Sequence, residues 1–250
     1  MVKCNFKSIT TPKLGNAIEE NEDNILEPSK SEIQFDTLIR FAISDGATES
    51  SFSKEWSDFL VSGYKDKVFD KDSLSDTIKK ISETWQSIVS NIELPWYAQQ
   101  KAQTGALQTF LGVTINREES TYNAIAIGDC SLFQIRNDEL IYSFPILNFE
   151  QFDSTPKLIS SIPKYQKNLE ELAEYTAKEI HPNDLIIIAT DAIAAWIFKK
   201  KETGDKPWQD LSTLLNYEDY KTDFTNWLNN KRREHEIKND DVTLILINFE

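Results

Sequence analysis

Leu185-Ile186-Ile187-Ile188-Ala189 and Ala124-Ile125-Ala126-Ile127 are apolar at every position, odd and even alike. Successive side chains of a β-strand point to opposite faces, so such strands have no side left for water. They must be covered above and below, which makes the sheet that holds them internal. Further β-branched and apolar runs place strands near 3–10, 36–44, 106–116, 121–128, 131–136, 184–190 and 242–249.

A helical period is clearest over 73–92. There Leu74, Ile78, Ile81, Trp85, Ile88, Val89 and Ile92 share a face, and Ser73 with Asp76 offers a capping-box start. Trp56, Phe59 and Leu60 mark a helix after the Asp45 loop. Leu169, Leu172, Ala173, Ala177 and Ile180 mark another, and Tyr220, Phe224, Trp227 and Leu228 a late one. These aromatic residues read as helix-to-sheet core rather than ligand platforms. Strands in runs and helices in runs argue α+β rather than an alternating parallel sheet. The stretch 143–167, with Pro145, Pro156 and Pro163, reads as an irregular surface excursion within the domain, not a linker.

Four acidic segments sit where these strands meet loops: Asn21-Glu22-Asp23, Ser44-Asp45-Gly46-Ala47, Thr190-Asp191-Ala192 and Asn239-Asp240-Asp241. If the strands lie side by side, the carboxylates gather at one sheet edge. Two like charges about 4 Å apart repel by about 4 kcal/mol at an effective dielectric near 20. Either they stay apart in water or a cation holds them together. Hard oxygen donors without His or Cys favour Mg²⁺ or Mn²⁺ over zinc. Gly46 suits a turn whose backbone closely approaches a ligand. Each segment alone has a plainer reading, Asp-Gly being a common turn, and Ile127-Gly128-Asp129-Cys130 alone reads as a hairpin turn between two strands.

Lys+Arg 27 against Asp+Glu 41 gives a net charge of −14, which excludes nonspecific binding to nucleic acid or anionic membrane. A phosphorylated substrate stays open, provided metal ions supply local positive charge. Cys4 and Cys130 form no redox or metal motif, so a reducing compartment is expected. Cys130 lies beside Asp129, which argues against a nucleophilic thiol. The first residues lack the apolar stretch of a signal peptide, and the expected location is cytoplasmic. No Walker loop, Gly-x-Ser-x-Gly elbow or dinucleotide fingerprint occurs. Lys231-Arg232-Arg233 reads as the solvated face at a helix end, where cations suit the dipole.

In order and spacing these segments resemble the metal-dependent protein phosphatases of the protein phosphatase 2C family, over almost the whole chain. Gly15-Asn16-Ala17-Ile18-Glu19-Glu20-Asn21-Glu22-Asp23 is similar to the opening motif, Ser44-Asp45-Gly46-Ala47 to the Asp-Gly motif and Gly128-Asp129-Cys130 to Gly-Asp-Ser. Thr190-Asp191-Ala192 resembles Ser/Thr-Asp-Gly, and Asp240-Asp241-Val242-Thr243 the closing Asp-Asn-hydrophobic-Thr. Asp45-Gly46-Ala47-Thr48-Glu49-Ser50, Leu94-Pro95-Trp96-Tyr97 and Gly105-Ala106 are similar to a bacterial branch.

The resemblance implies one α/β/β/α domain over 1–250, with two mainly antiparallel sheets packed face to face and helices outside. It implies a dinuclear Mg²⁺/Mn²⁺ centre hydrolysing phosphoserine or phosphothreonine in a protein substrate, with a cognate serine/threonine kinase as a further expected partner. Asp45 would bridge both metals, and Asp191 and Asp240 would complete one site. The Gly46 carbonyl with Glu22 or Asp23 would serve the other, and Asp129 a weaker third ion. Asp45 and Asp191 are thereby the expected catalytic residues.

Two departures matter. The family often places a phosphate-gripping arginine where this chain has Ile18, and a histidine after Asp-Gly where it has Ala47. Unless Arg40 or another base substitutes, a bidentate contact is lost. A missing general acid is typically worth 10²–10⁴-fold. The alternative is therefore a weak or inactive phosphatase-like module that binds a phosphoprotein or kinase. A third reading is a structural acidic domain with solvated carboxylates.

Overall fold

Residues 1–47, 52–66, 69–92, 104–152, 155–166 and 168–250 are described in the computed structural model. Two antiparallel sheets organise them. The first runs β1-β11-β10-β6-β7, built from β1 (Cys4–Thr11), β6 (Ser131–Arg136), β7 (Glu139–Phe144), β10 (Leu185–Ala189) and β11 (Val242–Phe249). The second runs β2-β3-β4-β5-β9, from β2 (Asn24–Leu26), β3 (Leu38–Gly46), β4 (Leu107–Asn116), β5 (Thr121–Ile127) and β9 (Glu174–Glu179). The short β8 (Ile159–Ser160) also pairs with β4.

The all-apolar strands behave as their pattern requires. Ile186 and Ile188 of β10 pack between the sheets with Ile43 of β3, Leu111 and Val113 of β4, and Ile245 and Ile247 of β11. Their neighbours Ile187 and Ala189 face outward into a second cluster under the helices α5 (Asp191–Glu202), α6 (Pro207–Asn216) and α7 (Tyr220–Arg233). On the other flank, Ala42, Phe110, Ile125 and Ile127 pack under α2 (Ser53–Asp66) and α3 (Leu74–Val89). The layers are helix, sheet, sheet, helix, the expected α+β sandwich. Trp56 and Trp85 are fully buried in this helix-to-sheet core at 6.1 Å between ring centroids, edge to face. The other α-helices among the described residues are short: α1 (Lys30–Phe35), capped by Ser29 and Glu32, and α4 (Leu169–Leu172).

The structure departs from the expectations in five places. The helix read over 169–180 stops after α4, and Glu174–Glu179 is instead an edge strand on β5. This segment is largely exposed on both faces, so it offers no apolar face to a helix, whereas the free edge of β5 needs backbone partners. The Ser73–Asp76 capping box is not formed. The Ser73 hydroxyl donates to Asp70 at 2.7 Å instead. The 143–167 stretch is irregular but not wholly superficial, because Ile159 is buried and its carbonyl accepts from the Trp56 indole at 3.1 Å.

Gly128-Asp129 is no hairpin: β5 belongs to the second sheet and β6 to the first, so this break carries the chain between sheets. Gly128 has φ +103°, and a Cβ there would lie 2.6 Å from the Thr109 side chain and 2.9 Å from the Lys157 carbonyl. Arg232 is not solvated either. It is 4% exposed, with Nη1 donating to the Pro12 carbonyl and Asn229 Oδ1, each at 3.0 Å, and Nη2 donating to the Asp240 carbonyl.

Candidate metal centre

Antiparallel pairing fixes which strand ends meet. In the first sheet Ala189 lies opposite both Leu244 and Ser131. The C-terminal end of β10 thus joins the N-terminal ends of β11 and β6, and brings Asp191, Asp240 and Asp129 to one edge. In the second sheet Asn24 pairs with Ser44 and Asp45 with Thr109, so Asp23 and Asp45 share an edge. The two edges coincide. Asp45, Gly46, Asp129, Asp191 and Asp240 line one cavity of about 410 Å³, together with Ala47, Thr109, Lys238 and Thr155, Pro156 and Leu158 of the irregular stretch.

The carboxylates act on one another there. Burial pushes Asp45 well above the usual carboxylate range, and Asp23, Asp191, Asp129 and Asp240 push it further. Burial and then the charge of Asp241 raise Asp23, although its Oδ2 accepts from the Thr243 hydroxyl at 2.9 Å. Burial also raises Asp191, against the pull of Lys238. Asp23 is only 4% exposed, and its Oδ1 has no hydrogen-bond partner, nor has the buried Oδ1 of Asp191. Two buried carboxylate oxygens without donors are a costly arrangement unless a cation satisfies them.

The Glu22 side chain stands beside Gly46. A Cβ at Gly46 would come within 2.6 Å of Glu22 Cβ and of Ser53 Oγ, so only glycine permits this approach. Burial pushes the Glu22 carboxyl from its ordinary 4.5 to about 7, opposed by Lys13 and helped by Asp241 and Asp240.

Hydrogen bonding separates Asp240 from Asp241. Asp241 accepts from the Lys13 amide at 2.8 Å and the Glu22 amide at 2.9 Å, which makes it a latch between three chain segments. Asp240 instead faces side-chain cations, with Oδ1 at 3.1 Å from Lys13 Nζ and Oδ2 at 2.5 Å from Lys238 Nζ. Burial raises its pKa, but these lysines outweigh that and hold it below the usual range.

The same Lys238 Nζ is 3.2 Å from Asp191 Oδ2. Among the described residues, no three side chains of Asp, Glu, His or Cys converge closely enough to hold an ion. The donor chemistry fits hard divalent ions, and two donors wait unpaired, but lysines stand on the Asp191–Asp240 side. Neither Lys238 nor Lys13 drew attention in the sequence. The signal was Lys238 two residues before Asp240, a spacing that folds back on itself through the Asp240 amide and Lys238 carbonyl at 3.0 Å. Cys130 is buried against Thr109, with Sγ 3.1 Å from its hydroxyl, and burial pushes its thiol well up, as the plain reading required.

No family model and no curated protein matches the chain. Among solved structures it is similar to the catalytic domain of the serine/threonine protein phosphatase PstP in complex with two manganese ions. That likeness has a TM-score of 0.63 at 11% identity, over 100% of this chain and 99% of that one. The photosystem II phosphatase PBCP gives 0.61 at 14% identity over 98% of each chain. RsbX in complex with magnesium gives 0.55 at 16% identity over 100% of each.

This is the protein phosphatase 2C fold. Within that fold, the departures read from the sequence have structural counterparts. Ile18, in a short 3₁₀ turn, is 74% exposed. Arg40 does not replace the missing arginine. It lies five residues up β3 from Asp45, roughly 17 Å at about 3.4 Å per residue, and donates to the Lys65 carbonyl at 3.1 Å. Ala192 in place of glycine causes no strain, being buried in the first turn of α5. Gly105 takes φ +75°, and the amide of Ala106 donates to Ser161 Oγ at 2.8 Å. The Thr48-Glu49-Ser50 and Leu94-Pro95-Trp96-Tyr97 matches lie outside the described residues. No helix among the described residues is long and apolar enough to cross a membrane.

Proposed function

We propose that the chain is a metal-dependent protein serine/threonine phosphatase, a single domain over 1–250 acting on phosphorylated protein. The observation that carries this reading is one cavity lined by carboxylates from both sheets, with buried donors of Asp23 and Asp191 left unpaired. Asp45 would bridge two Mg²⁺ or Mn²⁺ ions. Asp191 and Asp240 would complete one site, Gly46 with Glu22 or Asp23 the other, and Asp129 would serve a weaker third. Two such ions would supply the positive charge and the activated water that phosphoester hydrolysis needs.

The chain's own residues do the rest. Thr243 orients Asp23 through its hydroxyl, and Asp241 fixes the Glu22 and Lys13 backbones through their amides. Gly46 lets Glu22 close over the end of β3. Phosphoryl transfer depends mostly on positioning and charge stabilisation, so no covalent nucleophile is required, and the inert Cys130 agrees with that. Ala47 offers no proton to a leaving group, so turnover should be slow. A cognate kinase as partner and a cytoplasmic location belong to this reading, as does a bacterial signalling role.

Mn²⁺-dependent release of phosphate from p-nitrophenyl phosphate and from phosphoserine peptides tests it. Asp45→Asn and Asp191→Asn should each abolish turnover, and a wild type with no metal-dependent turnover on either ester would sink the enzyme reading. A second reading, a phosphoprotein-binding module without turnover, draws on the lysines standing on Asp240 and on the absence of a converged ligand trio. Tight phosphopeptide binding without phosphate release would decide for it.

A further inference from the structure

Lys238 touches two of the proposed ligands at once. Its Nζ lies 2.5 Å from Asp240 Oδ2 and 3.2 Å from Asp191 Oδ2, on the side of the cavity where those two carboxylates face each other. We infer that Lys238 is a built-in competitor of the divalent ion: its ammonium bridges Asp191 and Asp240, and an ion enters this half of the centre only by displacing it. The inference rests on the metal-centre reading above and deepens it.

Three observations support a displaceable bridge rather than a fixed one. The Lys238 side chain is 65% exposed, while those of Asp191 and Asp240 are 21% and 16% exposed. An ammonium that leaves the pair therefore regains its water, whereas the carboxylates cannot. Lys238 also lines a neighbouring cavity of about 720 Å³ as well as the acidic one, so there is room for Nζ on either side. Finally, Asp191 Oδ1 stays buried and unpaired although Oδ2 has its lysine. One positive charge thus answers only part of the demand of the site, and a divalent ion answers more of it. The backbone hardly needs to move, since Arg232 holds the Asp240 carbonyl independently of Lys238.

Isothermal titration of metal-free wild type, Lys238→Met and Lys238→Arg with Mn²⁺ tests this. Lys238→Met should bind about tenfold more tightly, a gain of about 1.4 kcal/mol. Lys238→Arg, which keeps the charge, should stay within about threefold of wild type. The Mn²⁺-induced rise in melting temperature should also be larger in Lys238→Met, because its metal-free form has lost the internal counter-charge. Lys238→Gln serves the same comparison should the methionine variant fold poorly. Equal or weaker Mn²⁺ binding by both neutral variants would overturn the competitor role and leave the metal centre standing. No Mn²⁺ binding at millimolar concentration by wild type or variants would instead overturn the metal-centre reading, and this inference with it.

Discussion

Replacing Arg232 by methionine should cost about 3 kcal/mol of stability, although the residue belongs to a basic run at the end of a helix. Its guanidinium donates to the carbonyls of Pro12 and Asp240 and to Asn229 Oδ1, tying α7 to the loop after β1 and to the loop before β11. Methionine keeps most of the aliphatic stem, so little packing is lost. Two part-buried carbonyls, however, lose this donor, and each unsatisfied acceptor costs roughly 1–3 kcal/mol. Burial already disfavours the Arg232 charge, while Asp241, Asp240 and Asp23 support it. Relief of the one offsets loss of the other, which leaves the carbonyls to decide the sum. For a chain of this size, about 3 kcal/mol lowers the melting temperature by roughly 6–12 °C. Urea unfolding followed by circular dichroism measures it, with Arg233→Met as an exposed control expected to change stability by less than about 0.5 kcal/mol. A loss below about 1 kcal/mol for Arg232→Met would show that the guanidinium is solvated, and the tether argument would fail.

The pKa shifts give a pH dependence whose sign is opposite to the usual acidic-residue case. Glu22, Asp23, Asp45 and Asp191 are raised in the folded state, so folded protein holds protons that unfolded chain releases. Their contribution is full below the ordinary 4.5 of a glutamate and is lost as pH rises through about 7 for Glu22. Metal-free protein should therefore lose stability between about pH 4.5 and 7, Mn²⁺ should remove most of that slope, and thermal melts in chelator against Mn²⁺ would reveal a slope of the wrong sign. Gly128→Ala should cost about 2–4 kcal/mol, since a side chain at that positive φ is strained and its Cβ also meets Thr109 and the Lys157 carbonyl. Unchanged urea midpoints would refute this. Thr243→Val removes the donor to Asp23 and should weaken Mn²⁺ binding about three- to tenfold with a stability loss of about 1–2 kcal/mol; calorimetry showing wild-type affinity would exclude an orienting role for that hydroxyl.

What the sequence disclosed follows from how each feature is encoded. Strands apolar on both faces, such as Leu185–Ala189, announce a layered interior without any knowledge of topology, because burial on two sides is written into consecutive residues. Three of the acids were legible for a related reason: Asp45, Asp191 and Asp240 stand at or beside the ends of apolar strands. What was not legible depended on contacts distant in sequence. Glu174–Glu179 is an exposed edge strand only because β5 lies beside it, and its own residues carry an incidental 3.6 spacing. Gly128-Asp129 looks like any tight turn until the partners of β5 and β6 prove to lie in different sheets. Arg232 was read as a solvated cation and Lys238 was not singled out, since nothing local reveals that one is buried with its guanidinium on the Asp240 carbonyl and the other folded back onto the Asp240 carboxylate.

The position of the acids at the junction of the two sheets sets what they do to the fold. Glu22, Asp23 and Asp45 lie in or next to strands of the second sheet, and Asp129, Asp191, Asp240 and Asp241 next to strand ends of the first. Their repulsion therefore acts to part the sheets at this end. Within this group, Lys13, Lys238 and Arg232 are the cations that answer them among the described residues. Three positive charges against seven carboxylates leave an excess of about four negative charges when all are ionised. The opposite end of the first sheet is closed differently: Asp184 is matched by Arg136 at 2.7 Å and by Gln134 at 2.8 Å, and nothing is left over. Burying a single Ile or Leu contributes roughly 1.5–3 kcal/mol, and the inter-sheet cluster of β3, β4, β10 and β11 is made of such residues. The aliphatic core, not the local preference of the acids, therefore holds that unneutralised charge in place. An excess of about four charges is also what two divalent ions would neutralise, so the same core that strains the metal-free site prepares it to bind them.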